Sequence, residues 1–290
     1  MVKYKIDVFG GGETVGKIKM IATDLDGTFL TDDKRISEAN IKAVQDAVKS
    51  GIVFVPATGR GLYTMPENVL KLDGIRYIIT SNGASVIDRR AEEVIYKKQI
   101  SGEMTAEIVG HGLDIGIMAE VFVGGRAYTL KRFAEDFISH GVNPRFVQWM
   151  FDTRILIDKF DDVLKKDTEV ENINLIFTDN GLRMETYDFI LNNFDTEITN
   201  SIGNNLEVGA KGCSKGEALE FLADMLKINM SDVMSLGDNS NDRDMIKRAG
   251  VGVAVKNADE NIKRSADCVV SSNNDSGFAE AVYRFALERQ

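Results

Sequence analysis

Short apolar runs that each stop at a cluster of small polar residues recur along this chain. Met20-Ile21-Ala22 runs into Asp24, Ile52 to Val55 into Thr58, Tyr77-Ile78-Ile79 into Thr80-Ser81-Asn82-Gly83, and Val233-Met234-Ser235-Leu236 into Gly237-Asp238. Apolar runs of this length bounded by turn formers predict buried strands. Between the first two, Ile41, Val44 and Val48 recur at helical spacing, with Ser37 placed to cap the helix and Gly51 to take a left-handed conformation at its end. Pro56 has no ladder donor, so the second strand's pairing should end there. Val251 to Val255 and Cys268-Val269-Val270 predict two later strands separated by helical segments. Strands alternating with helices give an α/β fold with a doubly wound parallel sheet, whose binding crevice lies at the C-terminal strand ends. The small polar clusters all fall at those ends.

Residues from about Ile87 to Asn200 differ in texture. Longer strands such as Ile117 to Val123 and Asn174 to Phe177 alternate less regularly with helices such as Lys131 to Ser139, and the small polar strand ends are missing. This stretch, 87–200, reads as an α+β domain inserted into a core made of 18–86 and 201–290. Residues 1–17 precede the core. Their run Gly10-Gly11-Gly12-Glu13-Thr14-Val15-Gly16-Lys17 nearly spells a phosphate-binding P-loop, but that motif requires Ser or Thr after the Lys and a helix behind it. Here Ile18 follows and a strand begins, so the segment reads as a leader or added tail, disordered or foreign to the fold.

With 43% hydrophobic and 28% charged residues, the chain has the balance of a globular protein with a buried core. Its 35 basic and 45 acidic side chains give a net charge of -10, which repels nucleic acid and anionic membrane. A small phosphorylated substrate is still permitted, because one bound cation reverses the local sign. Cys213 and Cys268 lie in unrelated segments and read as free thiols of a reducing compartment. No signal peptide and no run of the ~20 apolar residues of a membrane span is found, so the expected location is the cytoplasm. The only histidines, His111 and His140, sit in no motif, which argues against a catalytic triad or a histidine-ligated metal.

Asp24 and Asp26 stand two residues apart where a strand opens into a loop, followed by Gly27, which permits a tight turn, and Thr28, whose hydroxyl can fix it. One carboxylate can attack phosphorus while the other exchanges a proton with the leaving group and then with water. Gly237-Asp238-Asn239-Ser240-Asn241-Asp242 supplies two more acids at another strand end, where Asn241 or Ser240 could cap the next helix. Four converging carboxylates repel one another unless a hard divalent ion joins them, and magnesium suits a site completed by phosphate and water. Phosphoryl transfer also needs donors on the equatorial oxygens. Thr58, the Gly59 amide and a lysine would serve. Spacing alone does not separate Lys215 from Lys211, and Arg60 and Asn82 are further binding candidates near the crevice.

Taken in order, Asp24-Leu25-Asp26-Gly27-Thr28, Thr58-Gly59-Arg60, Ser81-Asn82-Gly83-Ala84, Lys215-Gly216 and Gly237-Asp238-Asn239-Ser240-Asn241-Asp242 resemble the Cof-type subfamily (IIB) of haloacid dehalogenase hydrolases. The resemblance covers nearly the whole chain from about Ile18. It implies a Rossmann-like core with an inserted α+β cap of the C2B type. It implies Asp24 as nucleophile, Asp26 as general acid and base, and Thr58 and Lys215 as phosphoryl ligands, with Lys215 now preferred over Lys211. Magnesium would be held by the side chains of Asp24 and Asp238 and the main-chain carbonyl of Asp26. Asn241 would reach phosphate, and Asp242 would orient Lys215 or the metal's waters. The implied activity is hydrolysis of small phosphate monoesters such as sugar phosphates. A phosphomutase on the same fold and a non-catalytic phosphometabolite sensor are the alternatives, and the intact Asp24 and Asp26 pair speaks against the sensor.

Overall fold

The structure is a computed structural model that describes residues 17–287. Gly10 to Gly16 of the P-loop-like run therefore lie outside the described residues. Five parallel strands form the central sheet, in the order Cys268–Val270, Val251–Val255, Val233–Gly237, Met20–Thr23, Val53–Pro56. Every residue of Met20–Thr23 is buried, as a strand covered on both faces requires. Its side chains alternate between two layers. Ile21 packs into a core with Ala43, Val44 and Ala47 of the helix Glu38–Lys49, whereas Met20 and Ala22 face Leu219 and Leu222 of the helix Lys215–Met225. The first layer is filled by Phe29, Phe54 and Phe278, whose ring centroids lie 4.8–5.6 Å apart. As expected, Ser37 caps the first helix, Gly51 is left-handed at φ +83°, and Pro56 ends its strand.

Tyr77–Thr80 runs parallel alongside Val53–Pro56 through bridges at Phe54–Ile75 and Ala57–Ile79, then turns into the antiparallel strands Ser85–Asp88 and Glu93–Lys97. The boundary expected after residue 86 thus falls inside a strand, because the hairpin behind it hydrogen-bonds to its predecessor. Tyr96 also packs on Phe221 of the helix Lys215–Met225, at 4.8 Å.

A second, six-stranded sheet has the order Thr196–Thr199, Asn205–Ala210, Asn172–Ile176, Met118–Val123, Arg126–Leu130, Arg154–Ile157. Ile173, Leu175, Val121 and Val208 pack on one of its faces with Ile108 of the helix Gly102–Asp114 and Ile190 of the helix Asn180–Asn193. The opposite face carries a row of polar side chains. Glu120 pairs with Asn174, and Asn174 with Glu207, across three neighbouring strands. The helix expected over Lys131 to Ser139 is shorter, Lys131–Ala134, and gives way to turns that end at the left-handed Gly141. The fold is therefore a Rossmann-like doubly wound parallel sheet with an inserted α+β cap.

Candidate active site

Four loops converge at the C-terminal ends of the parallel strands. Asp24 leaves its strand with its amide donating to the Leu236 carbonyl at 3.0 Å, which ties the first acidic loop to the strand leading to Asp238. Gly27 sits at φ +89°, and a Cβ there would stand 2.5 Å from Oδ2 of Asp238. A side chain would displace that carboxylate. The buried Thr28 hydroxyl donates to Oδ1 of Asp238 at 2.7 Å.

Lys215 is the first residue of its helix, behind the cap Ser214, and its side chain is fully buried. Its ammonium donates to Oδ1 of Asp24 at 2.6 Å and to Oδ1 of Asp242 at 2.7 Å. Burial alone would lower its pKa, but the two carboxylates outweigh burial and hold it above the usual lysine range. Lys211 is exposed, with its ammonium 3.8 Å from Asp195. Oδ2 of Asp242 accepts the amides of Asp238 and Asn239 at 2.9 and 3.0 Å. The cap of this turn is therefore Asn239, not Ser240 or Asn241. Asn239 and Asp242 stand three residues apart and cap each other reciprocally over Ser240–Asp242.

These bonds leave Oδ2 of Asp24 and Oδ2 of Asp238 available. Asp24, Asp238 and Asp242 each offer an oxygen, all within 4.8 Å of one another. Burial and neighbouring carboxylates push Asp238 up to about 7, and push Asp24 well above its ordinary value against the opposing charge of Lys215. A buried, oxygen-only donor set with excess negative charge fits a hard divalent cation.

The Asp26 side chain is engaged elsewhere. Arg60 clasps both its oxygens, with Nε and Nη2 at 2.6 and 2.8 Å, and Lys34 donates to Oδ1 at 2.7 Å. Burial would raise its pKa, but Arg60 and Lys34 hold it well below the usual carboxylate range. The Arg60 guanidinium lies 4.4 Å from the centre of the Trp149 ring, and that of Arg154 lies 4.0 Å from the same ring. Thr58 is buried, and its Oγ accepts the Arg60 amide at 3.1 Å, which leaves the hydroxyl hydrogen for another acceptor.

A cavity of about 180 Å³ opens between these loops and the polar face of the six-stranded sheet. Asp24, Asp26, Thr58, Gly59, Arg60 and Asn241 line it from below, and Glu120, Phe122, Trp149, Arg154, Asn174 and Glu207 from above. Asn82 stands one layer back, donating to Glu207 at 2.8 Å and accepting from Nδ2 of Asn241 at 3.0 Å. Arg154 and Glu120 form a buried ion pair at 2.7 Å, and Asn174 donates to the same carboxylate at 2.8 Å. Neither histidine lines the cavity, and Cys213 and Cys268 are not joined in a disulfide. Sequence reasoning missed the upper wall and Lys34. The alternation in Met118–Val123 and Asn172–Ile176 reads as strands with a solvated face, and the one available signal was Trp149, the only tryptophan of the chain.

Residues 21–282 match the family model of haloacid dehalogenase-like hydrolases. The chain belongs to this family. The hydrolase is 31% identical over 270 residues to the Bacillus subtilis protein "5-amino-6-(5-phospho-D-ribitylamino)uracil phosphatase YcsE", with 93% of this chain and 96% of that one covered. Its fold is similar to that of a haloacid dehalogenase-like hydrolase from B. subtilis, at a TM-score of 0.80 and 27% identity over 92% of this chain and all of that one (100%). A HAD subclass IIB sugar phosphatase, BT4131, matches with a TM-score of 0.77 and 25% identity, covering 92% and 98% of the two chains. The hydrolase is thus a phosphatase of the haloacid dehalogenase type. Among its described residues no helix is long and apolar enough to cross a membrane.

Proposed function

We propose that this phosphatase hydrolyses small phosphate monoesters, sugar phosphates or related metabolites, with Mg²⁺ and through an aspartyl phosphate on Asp24. The observation that carries the reading is the buried Lys215 ammonium 2.6 Å from Oδ1 of Asp24, a geometry that sets a cation directly behind an acidic nucleophile lining the cavity. Mg²⁺, held by the side chains of Asp24 and Asp238 and the carbonyl of Asp26, would offset the charge of the meeting carboxylate and phosphoryl oxygens.

The protein's own residues account for the remaining steps. Lys215, the Thr58 hydroxyl, the Gly59 amide and Asn241 hold the phosphoryl oxygens, and Asp242 orients Lys215. A carboxylate oxygen of Asp24 attacks phosphorus, the bond to the ester oxygen breaks, and Asp26 gives that oxygen a proton. Asp26 then takes a proton from water as the water attacks phosphorus, which frees Asp24 and inorganic phosphate. Substrate oxygens that engage Arg60 and Lys34 would release Asp26 from its present ion pairs and return it toward the range in which it can carry a proton.

We place the cap at about 98–212 rather than 87–200. Glu93–Lys97 belongs to the hairpin on the core, and Asn205–Ala210 is a strand of the six-stranded sheet. The cap's aromatic side chains and amides suit a small polar leaving group, in keeping with the phosphorylated ribitylaminouracil and the sugar phosphates named for the two relatives. A phosphate-release screen over a metabolite panel with Mg²⁺ tests the reading. Free phosphate from hexose monophosphates supports it, whereas an isomerised sugar phosphate would make the protein a mutase.

A further inference from the structure

Three consecutive residues of the turn Ser81-Asn82-Gly83 are left-handed, with φ of +49°, +57° and +99°. Chirality disfavours this for Ser81 and Asn82, so something must hold them. The turn touches most of the phosphoryl-binding parts at once. Its Asn82 amide donates to the Thr58 carbonyl at 3.0 Å and its Ser81 amide to the Arg60 carbonyl at 2.9 Å. Asn82 Oδ1 fixes Asn241, and a Cβ on Gly83 would lie 2.1 Å from the Ser214 carbonyl, so the turn lies against the start of the Lys215 helix.

What holds the turn comes from the cap. The Ser81 hydroxyl donates to Oε2 of Glu171 at 2.8 Å, and Nδ2 of Asn82 donates to Oε2 of Glu207 at 2.8 Å. Both carboxylates are at least nine-tenths buried, and neither forms an ion pair among the described residues. Glu207 is completed by the Ser201 hydroxyl at 2.8 Å. Glu171 is completed by the Gly125 amide at 2.9 Å, and the Gly125 carbonyl in turn accepts the Tyr63 amide, close behind Arg60. Burial raises the pKa of both acids, which marks how costly their placement is and how much they depend on these donors.

We propose that Glu207, assisted by Glu171, is a positioning residue for phosphoryl binding: it holds Asn82, and through Asn82 sets Asn241, so that the phosphate pocket is complete only when the cap is packed on the core. Asn82 can satisfy Glu207 and Asn241 together in only one amide orientation, with nitrogen toward the carboxylate and oxygen toward Asn241. A glutamine at 207 can still accept from Asn82 while its own NH₂ donates to Ser201. A leucine cannot.

The inference rests on the phosphatase reading above. Wild-type turnover tests that reading by itself, and the ratio of variant to wild type tests this one. The experiment measures p-nitrophenyl phosphate turnover, binding of inorganic phosphate with Mg²⁺ by calorimetry, and the thermal midpoint, for Glu207→Gln, Glu207→Leu, Asn82→Ala and the Leu/Ala double variant. Glu207→Gln should stay within about threefold of wild type, while Glu207→Leu and Asn82→Ala should each weaken phosphate binding by at least about tenfold. The double variant should be no worse than the worse single one, because both act through the same contact. If Glu207→Leu does not fold, Glu207→Gln and Asn82→Ala still decide. Phosphate binding unchanged in Asn82→Ala, or Glu207→Gln as impaired as Asn82→Ala, overturns the proposal. So does a Glu207→Leu protein that handles p-nitrophenyl phosphate normally and fails only on bulkier esters, since Glu207 would then contact the leaving group directly.

Discussion

The ammonium of Lys215 and the carboxylate of Asp24, 191 residues apart in sequence, meet at 2.6 Å in a site where the lysine has no exposed surface. Asp242 closes the group from the other side. Removing the cation leaves two buried carboxylates facing each other, which is costlier than losing an ordinary hydrogen bond.

Lys215→Met should therefore lower unfolding stability by about 3–5 kcal/mol in metal-free buffer at pH 8, and by less at pH 5, where the carboxyls can take up protons. Turnover should fall at least about a hundredfold. Denaturant midpoints at the two pH values check the first claim, and equal midpoints for variant and wild type would contradict it.

Asp238 gives the pH dependence its sign. Its carboxyl titrates at about 7 in the fold against an ordinary 3.8, so the folded protein binds the extra proton between those values. The stability this contributes is complete below about 4 and is lost as pH rises through about 7. A cation binds only the ionised form, so Mg²⁺ affinity should rise from pH 6 to pH 8, with protons released on binding at the lower pH. Thermal midpoints in chelator should fall over this interval, and Mg²⁺ should restore them. A Mg²⁺-induced shift that is the same at both pH values would contradict the assignment.

Trp149 reports on the cavity because it is the only tryptophan and lies against the guanidiniums of Arg60 and Arg154. Binding of a sugar phosphate with Mg²⁺ should change its emission. Trp149→Phe should raise KM for such an ester several-fold while changing KM for p-nitrophenyl phosphate little. Equal changes for both substrates would place Trp149 outside the leaving-group space.

The contrast between Asp24 and Glu207 explains what could be read from the chain. Asp24, Asp26, Thr58, Gly59, Arg60 and Asn241 were legible because each follows the end of an apolar strand, and strand ends of a parallel sheet point to one crevice. The motif around Lys215 gave its position only through resemblance, since spacing left Lys211 level with it. The upper half was not legible. Glu120, Asn174 and Glu207 occupy alternate positions in strands whose other face is apolar, the pattern of a solvated sheet surface, and nothing local says that this surface is covered. Glu207 meets Asn82 over 125 residues of sequence, and the ion pairs of Asp26 with Lys34 and Arg60 likewise depend on how loops fold back. The reciprocal cap by Asn239 was readable in principle, because Asp242 follows it by three residues.

The most direct test of the account is phosphate release from p-nitrophenyl phosphate with Mg²⁺ by the wild type and by Asp24→Asn, a change that keeps the side chain's size and one oxygen for Lys215. Turnover and an acid-stable, hydroxylamine-sensitive phosphoenzyme are expected in the wild type, and neither in a folded Asp24→Asn. An Asp24→Asn protein that still releases phosphate at a wild-type rate would contradict it.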